Sequence, residues 1–217
     1  MNKLLMLVAI LVLSLGVASA DSLPCTISGT GIGDAVKGTT SVTCGGLTFN
    51  NFEVLNPTGP NNPGVIDITG ITDTECGSEI CLNFNPNLQA NDDVAFEFTV
   101  TGGIYNIDMS VGGQGASITE IACSVPVPTS GINYGICPSQ DLLGEITVTS
   151  GEANQPVFAT PFATTSPVYI FKNIGVGATG GLSEFSQSFE TPEPISMVLL
   201  GSGLLGLGLL RRRSRKN

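Results

Sequence analysis

Apolar and polar residues alternate most regularly in VAFEFTVTGGIYNIDMSV, residues 94–111. Val94, Phe96, Phe98 and Val100 share one face, with Glu97 and Thr99 on the other. After Gly102-Gly103 the alternation returns through Tyr105, Ile107, Met109 and Val111. A period of two marks a half-buried strand. A glycine pair supplies the positive φ values of a tight turn. The pattern therefore predicts an antiparallel hairpin closed at 102–103, followed by a third strand over 117–123 after the turn Gly112-Gly113-Gln114-Gly115. Shorter runs predict strands at 41–54, 65–71, 80–84, 145–149, 157–160, 168–172 and 183–189. Between them lie the turn-forming stretches NPTGPNNPG (56–64) and NPNLQANDD (85–93). No amphipathic helical period occurs away from the two ends, and no fixed repeat suggests a solenoid. About ten short strands at this spacing predict an all-β chain, with a single β-sandwich or jelly-roll-like domain over residues 21–190.

The two ends break the pattern. Lys3 precedes an apolar run over 4–17 and then Ala18-Ser19-Ala20. A basic start, a short greasy core and small residues at Ala18 and Ala20 are the features of a secretory signal peptide, 1–20, cut by signal peptidase after Ala20. At the other end Pro192-Glu193-Pro194 leads into an uncharged apolar stretch, 195–210. As a helix that stretch would reach about 24 Å, short of a hydrocarbon core of roughly 30 Å, a gap that snorkelling and local thinning close at modest cost. Arg211, Arg212, Arg213, Arg215 and Lys216 follow in the tail 211–217. Such a basic cluster marks the cytoplasmic side of a membrane helix. Gly201, Gly203, Gly206 and Gly208 weaken the helix by up to ~1 kcal/mol each. That suits a segment that is recognised and cut better than a permanent anchor.

A proline–glutamate–proline turn, a short transmembrane span and an arginine-rich end, in that order over 191–217, resemble the PEP-CTERM sorting signal of Gram-negative surface proteins. The resemblance implies a partner, an exosortase-type membrane transpeptidase that cleaves near Pro192-Glu193-Pro194. It also implies a route: export through the inner membrane, transient anchoring by the 195–210 helix, then release to the cell surface or the medium. The same C-terminal domain is sometimes labelled after ice-binding proteins, a label that implies no affinity for ice.

Charge changes the picture once the ends are set aside. Between Asp21 and Pro194 only Lys37 and Lys172 are basic, against all 18 acidic residues of the chain. Such a surface repels phosphate backbones and anionic lipid heads, which excludes nucleic acid as a partner. Cys25, Cys44, Cys76, Cys81, Cys123 and Cys137 are even in number and all exported, so they are expected as disulfides. Nearest-neighbour pairing, 25–44, 76–81 and 123–137, is the simplest of many connectivities.

The chemistry is bounded by what is missing. Without histidine there is no Ser-His-Asp or Cys-His arrangement and no histidine-ligated zinc or haem. Paired carboxylates for glycoside hydrolysis would have to come from Asp73, Glu75 and Glu79 or from Asp92-Asp93. Tryptophan is absent, so stacking on a sugar falls to Tyr105, Tyr134 and Tyr169. Oxygen ligands at Asp73-x-Glu75 and Asn91/Asp93 suit calcium, yet neither stretch has the DxDxDG loop form. A solvated acidic loop is the favoured reading; no cofactor or metal is assigned, with calcium the alternative. GTGIGD at 29–34 superficially resembles a phosphate loop but precedes no helical pattern and reads as turns. The expectation is a non-catalytic surface or extracellular-matrix protein, in contact with extracellular polysaccharide. The alternative is a secreted binding module, an adhesin or a carbohydrate- or ice-binding domain. An exported hydrolase ranks third.

Overall fold

The computed structural model describes residues 26–28, 41–59, 66–70, 80–152, 155–156 and 165–191, and at 26–28, 67–70 and 155–156 the backbone alone. The signal peptide, the GTGIGD turn, the 157–160 strand, Asp73, Glu75, Glu79 and the sorting tail from Pro192 onward lie outside these residues. The described chain is all-β. Its strands are β1 (Thr26–Ser28), β2 (Ser41–Cys44), β3 (Leu47–Thr58), β4 (Asp67–Gly70), β5 (Ile80–Asn85), β6 (Leu88–Gln89) and β7 (Asp93–Thr101). They continue as β8 (Asn106–Val111), β9 (Gln114–Cys123), β10 (Leu142–Thr149), β11 (Gln155–Pro156), β12 (Val168–Leu182) and β13 (Phe185–Glu190). The first sheet runs β1-β2-β3-β7-β12-β9-β10, with β6 also on β12; the second runs β11-β8-β13-β5-β4. Packed face to face, they make the expected β-sandwich.

The alternation at 94–111 is correct but its pairing is not a hairpin. β7 lies between β3 and β12 in the first sheet, whereas β8 lies between β11 and β13 in the second. Gly102 and Gly103 have the expected positive φ, 117° and 82°, and use it to carry the chain from one sheet to the other. Val94, Phe96, Phe98 and Val100 then meet Ile107, Met109 and Val111 across the core instead of beside them. A period of two specifies which face is buried, not which strand is the neighbour. The tight glycine hairpin lies at Gly45-Gly46 (φ 53° and 85°), where Cys44 pairs with Leu47 and the predicted 41–54 strand divides into β2 and β3. A Cβ on Gly102 would collide with the Gly46 carbonyl oxygen, so the two glycine turns abut.

Phenylalanines fill the gap between the sheets. Phe49, Phe96 and Phe98 come from the first sheet, and Phe84, Phe185 and Phe189 from the second, all essentially without exposure. Phe84 stacks on Phe185 with centroids 4.9 Å apart, and Phe49 meets Phe189 at 4.8 Å. Each such ring buries roughly 150–250 Å² and offset pairs add about 0.5–1.5 kcal/mol beyond area. β12 is far longer than the predicted 168–172. It continues through Gly175, Gly177, Gly180 and Gly181, pairing with both β7 and β9 before its register shifts between Val176 and Gly181.

A cleft on the outer face of the first sheet

The outward residues of β7, β9 and β12 do not all face solvent. Ala95, Cys123 and Phe171 form a second apolar cluster with Leu55, Val127 and Cys137, against which Tyr134, Tyr169, Ile121 and Val125 pack. The cover is the connection 124–141 between β9 and β10. A disulfide joins Cys123 to Cys137, with Cα atoms 5.9 Å apart, and holds this connection down. Internal hydrogen bonds shape it: Gly135 N–H donates to the Pro128 carbonyl at 2.9 Å and Asp141 N–H to the Pro138 carbonyl at 2.8 Å. Cys44 and Cys81 are disulfide-bonded as well, while Cys25 and Cys76 lie outside the described residues.

Beside this cover the sheet opens into a cleft of about 470 Å³. Its floor is a cross-strand row in which Asn173 of β12 pairs with Ala95 of β7 and Thr119 of β9. Asn56, Thr58 and Asp93 close one side; Tyr134, Gly135, Phe171 and Ile121 close the other. Asn56 reaches the cleft because β3 bulges between Leu55 and Thr58, and Asn56 takes a left-handed φ of 45° there. Bulges re-aim side chains in this way, and asparagine tolerates the left-handed region better than most residues.

Tyr134 stands over the cleft with its ring edge-on to Phe171, centroids 5.5 Å apart and planes at 87°. Its hydroxyl oxygen is buried without a hydrogen bond. Burial raises its pKa above the ordinary value; the neighbouring Asn56 side chain partly opposes this, and the charges of Asp93 and Glu97 add to it. A buried donor left unmade costs about 1–3 kcal/mol, which a ligand oxygen could recover. The lining thus offers amide, hydroxyl and carboxylate groups beside two aromatic rings, with no cation: among the described residues Lys172 is the one basic side chain, and it is buried in the core.

Of the residues singled out in the sequence, Tyr134 and Asp93 meet in this cleft, whereas Tyr105 and Tyr169 do not line it. Asp92 and Asp93 do not form a pair. Asp92 is buried and closes a turn, its Oδ2 accepting the Gln89 N–H at 2.8 Å while its own N–H donates to the Gln89 carbonyl at 3.0 Å. Asp93 is exposed. Among the described residues no three acidic or sulfur-bearing side chains group as metal ligands would. Asn56, Thr58, Thr119, Phe171 and Asn173 were not visible as a set. The available signal was Phe171, a large aromatic residue out of step with the inward series Val168, Ile170 and Ile174.

Residues 190–214 match the model of the PEP-CTERM protein-sorting motif. A chain with that motif is exported and processed by an exosortase, bound for the cell surface or the medium. No curated protein matches the chain. Among solved structures it is similar to TmCBM61 in complex with β-1,4-galactotriose, at 17% identity over 64% of this chain and 88% of that one. The TM-score is 0.30, too low for this likeness to carry an argument.

Proposed function

We propose that this is a non-catalytic surface or extracellular-matrix protein whose sandwich binds a neutral polysaccharide in the outer-face cleft. The observation that carries the reading is the lining itself. Asn56, Thr58, Asp93, Thr119 and Asn173 offer hydrogen-bonding groups suited to sugar hydroxyls, and Tyr134 and Phe171 offer apolar ring surface. Binding sites of this kind combine apolar walls with a few convergent polar groups. The absence of an accessible cation among the described residues favours a neutral chain over an anionic one. Hydrolysis by paired carboxylates finds no support in the cleft, where Asp93 is the one carboxylate of the lining. Cell-surface display through the C-terminal sorting motif would place the cleft among extracellular polysaccharide. The test is a glycan array probed with the exported protein recovered from its host. Retention on neutral β-linked or α-linked oligosaccharides, weakened in a Tyr134→Ala variant, is the expected result. Retention on polyanions alone, unaffected by that change, contradicts the reading.

A further inference from the structure

Three polar side chains interrupt the apolar rows that face the core. Lys172 stands between Ile170 and Ile174 on β12, Glu120 between Ile118 and Ala122 on β9, and Gln187 between Phe185 and Phe189 on β13. All three have no exposure. Lys172 and Glu120 are direct partners across the two strands, and Lys172 Nζ bonds Glu120 Oε2. From the opposite sheet Gln187 donates through Nε2 to Glu120 Oε1 at 2.7 Å and Oε2 at 2.8 Å. One carboxyl oxygen therefore holds both the lysine nitrogen and the amide nitrogen. The rest of the surroundings is apolar or weakly polar: Met109 Sδ lies 3.4 Å from Nζ, and the Phe185 ring centroid 5.5 Å away. Gln187 Oε1 is buried with no hydrogen bond. Burial holds the Lys172 amine well below the ordinary lysine range, toward the neutral form in which an amine is a nucleophile.

As a simple ion pair this arrangement gains little. Buried pairs of charges recover their desolvation cost only with excellent geometry and full hydrogen bonding, and well-packed apolar residues often serve as well. As a reaction site it brings together an amine to attack, a carboxamide to be attacked, and a carboxyl in contact with both the entering and the leaving nitrogen. We propose that Lys172 and Gln187 form an intramolecular isopeptide bond, with Glu120 transferring the proton. Nζ attacks Gln187 Cδ and the new C–N bond forms. Glu120 takes a proton from Nζ and delivers one to Nε2. The Cδ–Nε2 bond breaks and ammonia leaves. An amine and a primary amide become a secondary amide and ammonia, with no oxidant, reductant or co-reactant. Glu120 is not the electrophile: condensation on its own carboxyl would expel water and leave no group that touches both nitrogens.

The bond would tie the two sheets at their middle. β12 lies between β7 and β9, β13 lies between β8 and β5, and β13 is the last strand before the matched sorting motif at 190–214. Tension entering from the C-terminus would pass into the first sheet through a covalent link instead of through the hydrogen bonds of β13.

The test is the intact mass of the exported protein after reduction of its disulfides, followed by digestion at glutamate. Cleavage after Glu152, Glu184 and Glu190 separates residues 185–190 from 153–184 unless the bond joins them. The expected results are a mass lower than the sequence mass by one ammonia and a branched peptide linking Lys172 to Gln187. Lys172→Met and Glu120→Gln should each restore the full mass. A folded wild-type protein of full mass overturns the proposal, and the wild-type measurement does not depend on either variant folding. A deficit of one water, mapped to Lys172 and Glu120, overturns it too, because it makes Glu120 the electrophile.

Discussion

Tyr134 and Phe171 meet edge to face, 5.5 Å between ring centroids, and so join the 124–141 connection to β12 of the first sheet. The contact creates the wall of the cleft and ties its integrity to the Cys123–Cys137 disulfide, which lies in the same apolar cluster as Phe171. Tyr134 is only partly buried, whereas Phe171 is nearly enclosed. The two residues should therefore respond differently to truncation. Tyr134→Ala is expected to weaken glycan binding at least tenfold, about 1.4 kcal/mol, while costing little more than the ring pair's own ~0.5–1.5 kcal/mol in stability. Isothermal titration and thermal melts of the same variant separate the two effects.

Opening the bridge should loosen the cover without dismantling the sandwich. Cys123 and Cys137 are separated by 14 positions, and a loop of about 15 residues contributes ~3 kcal/mol by the chain-entropy model. The double variant Cys123→Ser/Cys137→Ser is expected to melt several degrees lower and to bind ligand more weakly, with its far-ultraviolet circular dichroism unchanged. Loss of the β signature in that variant would mean that the connection supports the core itself.

Gly135 has a left-handed φ of 67°, and a Cβ there would stand 2.9 Å from the Phe171 ring. Gly135→Ala is therefore expected to destabilise by roughly 1 kcal/mol or more, the usual order for a side chain forced into a positive φ. It should also shift the Tyr134 and Phe171 resonances more than those of the opposite sheet. Chemical denaturation gives the first quantity and a heteronuclear correlation spectrum the second.

Much of this fold was legible, and the parts that were not share a cause. Inward positions such as Val94, Phe96, Ile107 and Met109 follow from alternation alone, since a strand with one buried face must place apolar residues at every second position. Pairing depends on where the chain goes next. Gly102-Gly103 and Gly45-Gly46 read alike in the sequence, yet one crosses between sheets and the other closes a hairpin. The cleft was hidden for the same reason: Asn56, Asp93, Thr119 and Asn173 come from four strands that are not consecutive in the chain. The buried trio had a local signal. Lys172, Glu120 and Gln187 each occupy the inward step of an otherwise apolar row.

The raised pKa of Tyr134 gives a pH prediction with a definite sign. Burial is its main cause, so the folded protein holds the phenolic proton more tightly than the unfolded chain does. The linked stability is intact below the unfolded value near 10 and is lost as pH rises through the higher folded value. Melting temperature is expected to fall in that alkaline window and to fall less in Tyr134→Phe, where no phenol ionises. Identical alkaline profiles for the two proteins would remove burial of the hydroxyl as the cause.

At the C-terminus the expectation concerns processing. Replacing Pro192-Glu193-Pro194 with alanines should leave full-length precursor in the inner membrane of an exosortase-bearing host, detected by immunoblot of fractionated cells. Unchanged release of the body would show that the matched motif is not what the sorting enzyme reads.

The central claim, that the outer face of the first sheet binds a neutral polysaccharide, is tested most directly by nuclear magnetic resonance of the isotopically labelled exported protein titrated with neutral oligosaccharides. The account predicts saturable shifts confined to residues 56–58, 93–95, 119–121, 134–135 and 171–173, with the resonances of β5 and β13 unmoved. Shifts centred on the second sheet, or none with any neutral oligosaccharide that the array retains, would contradict it.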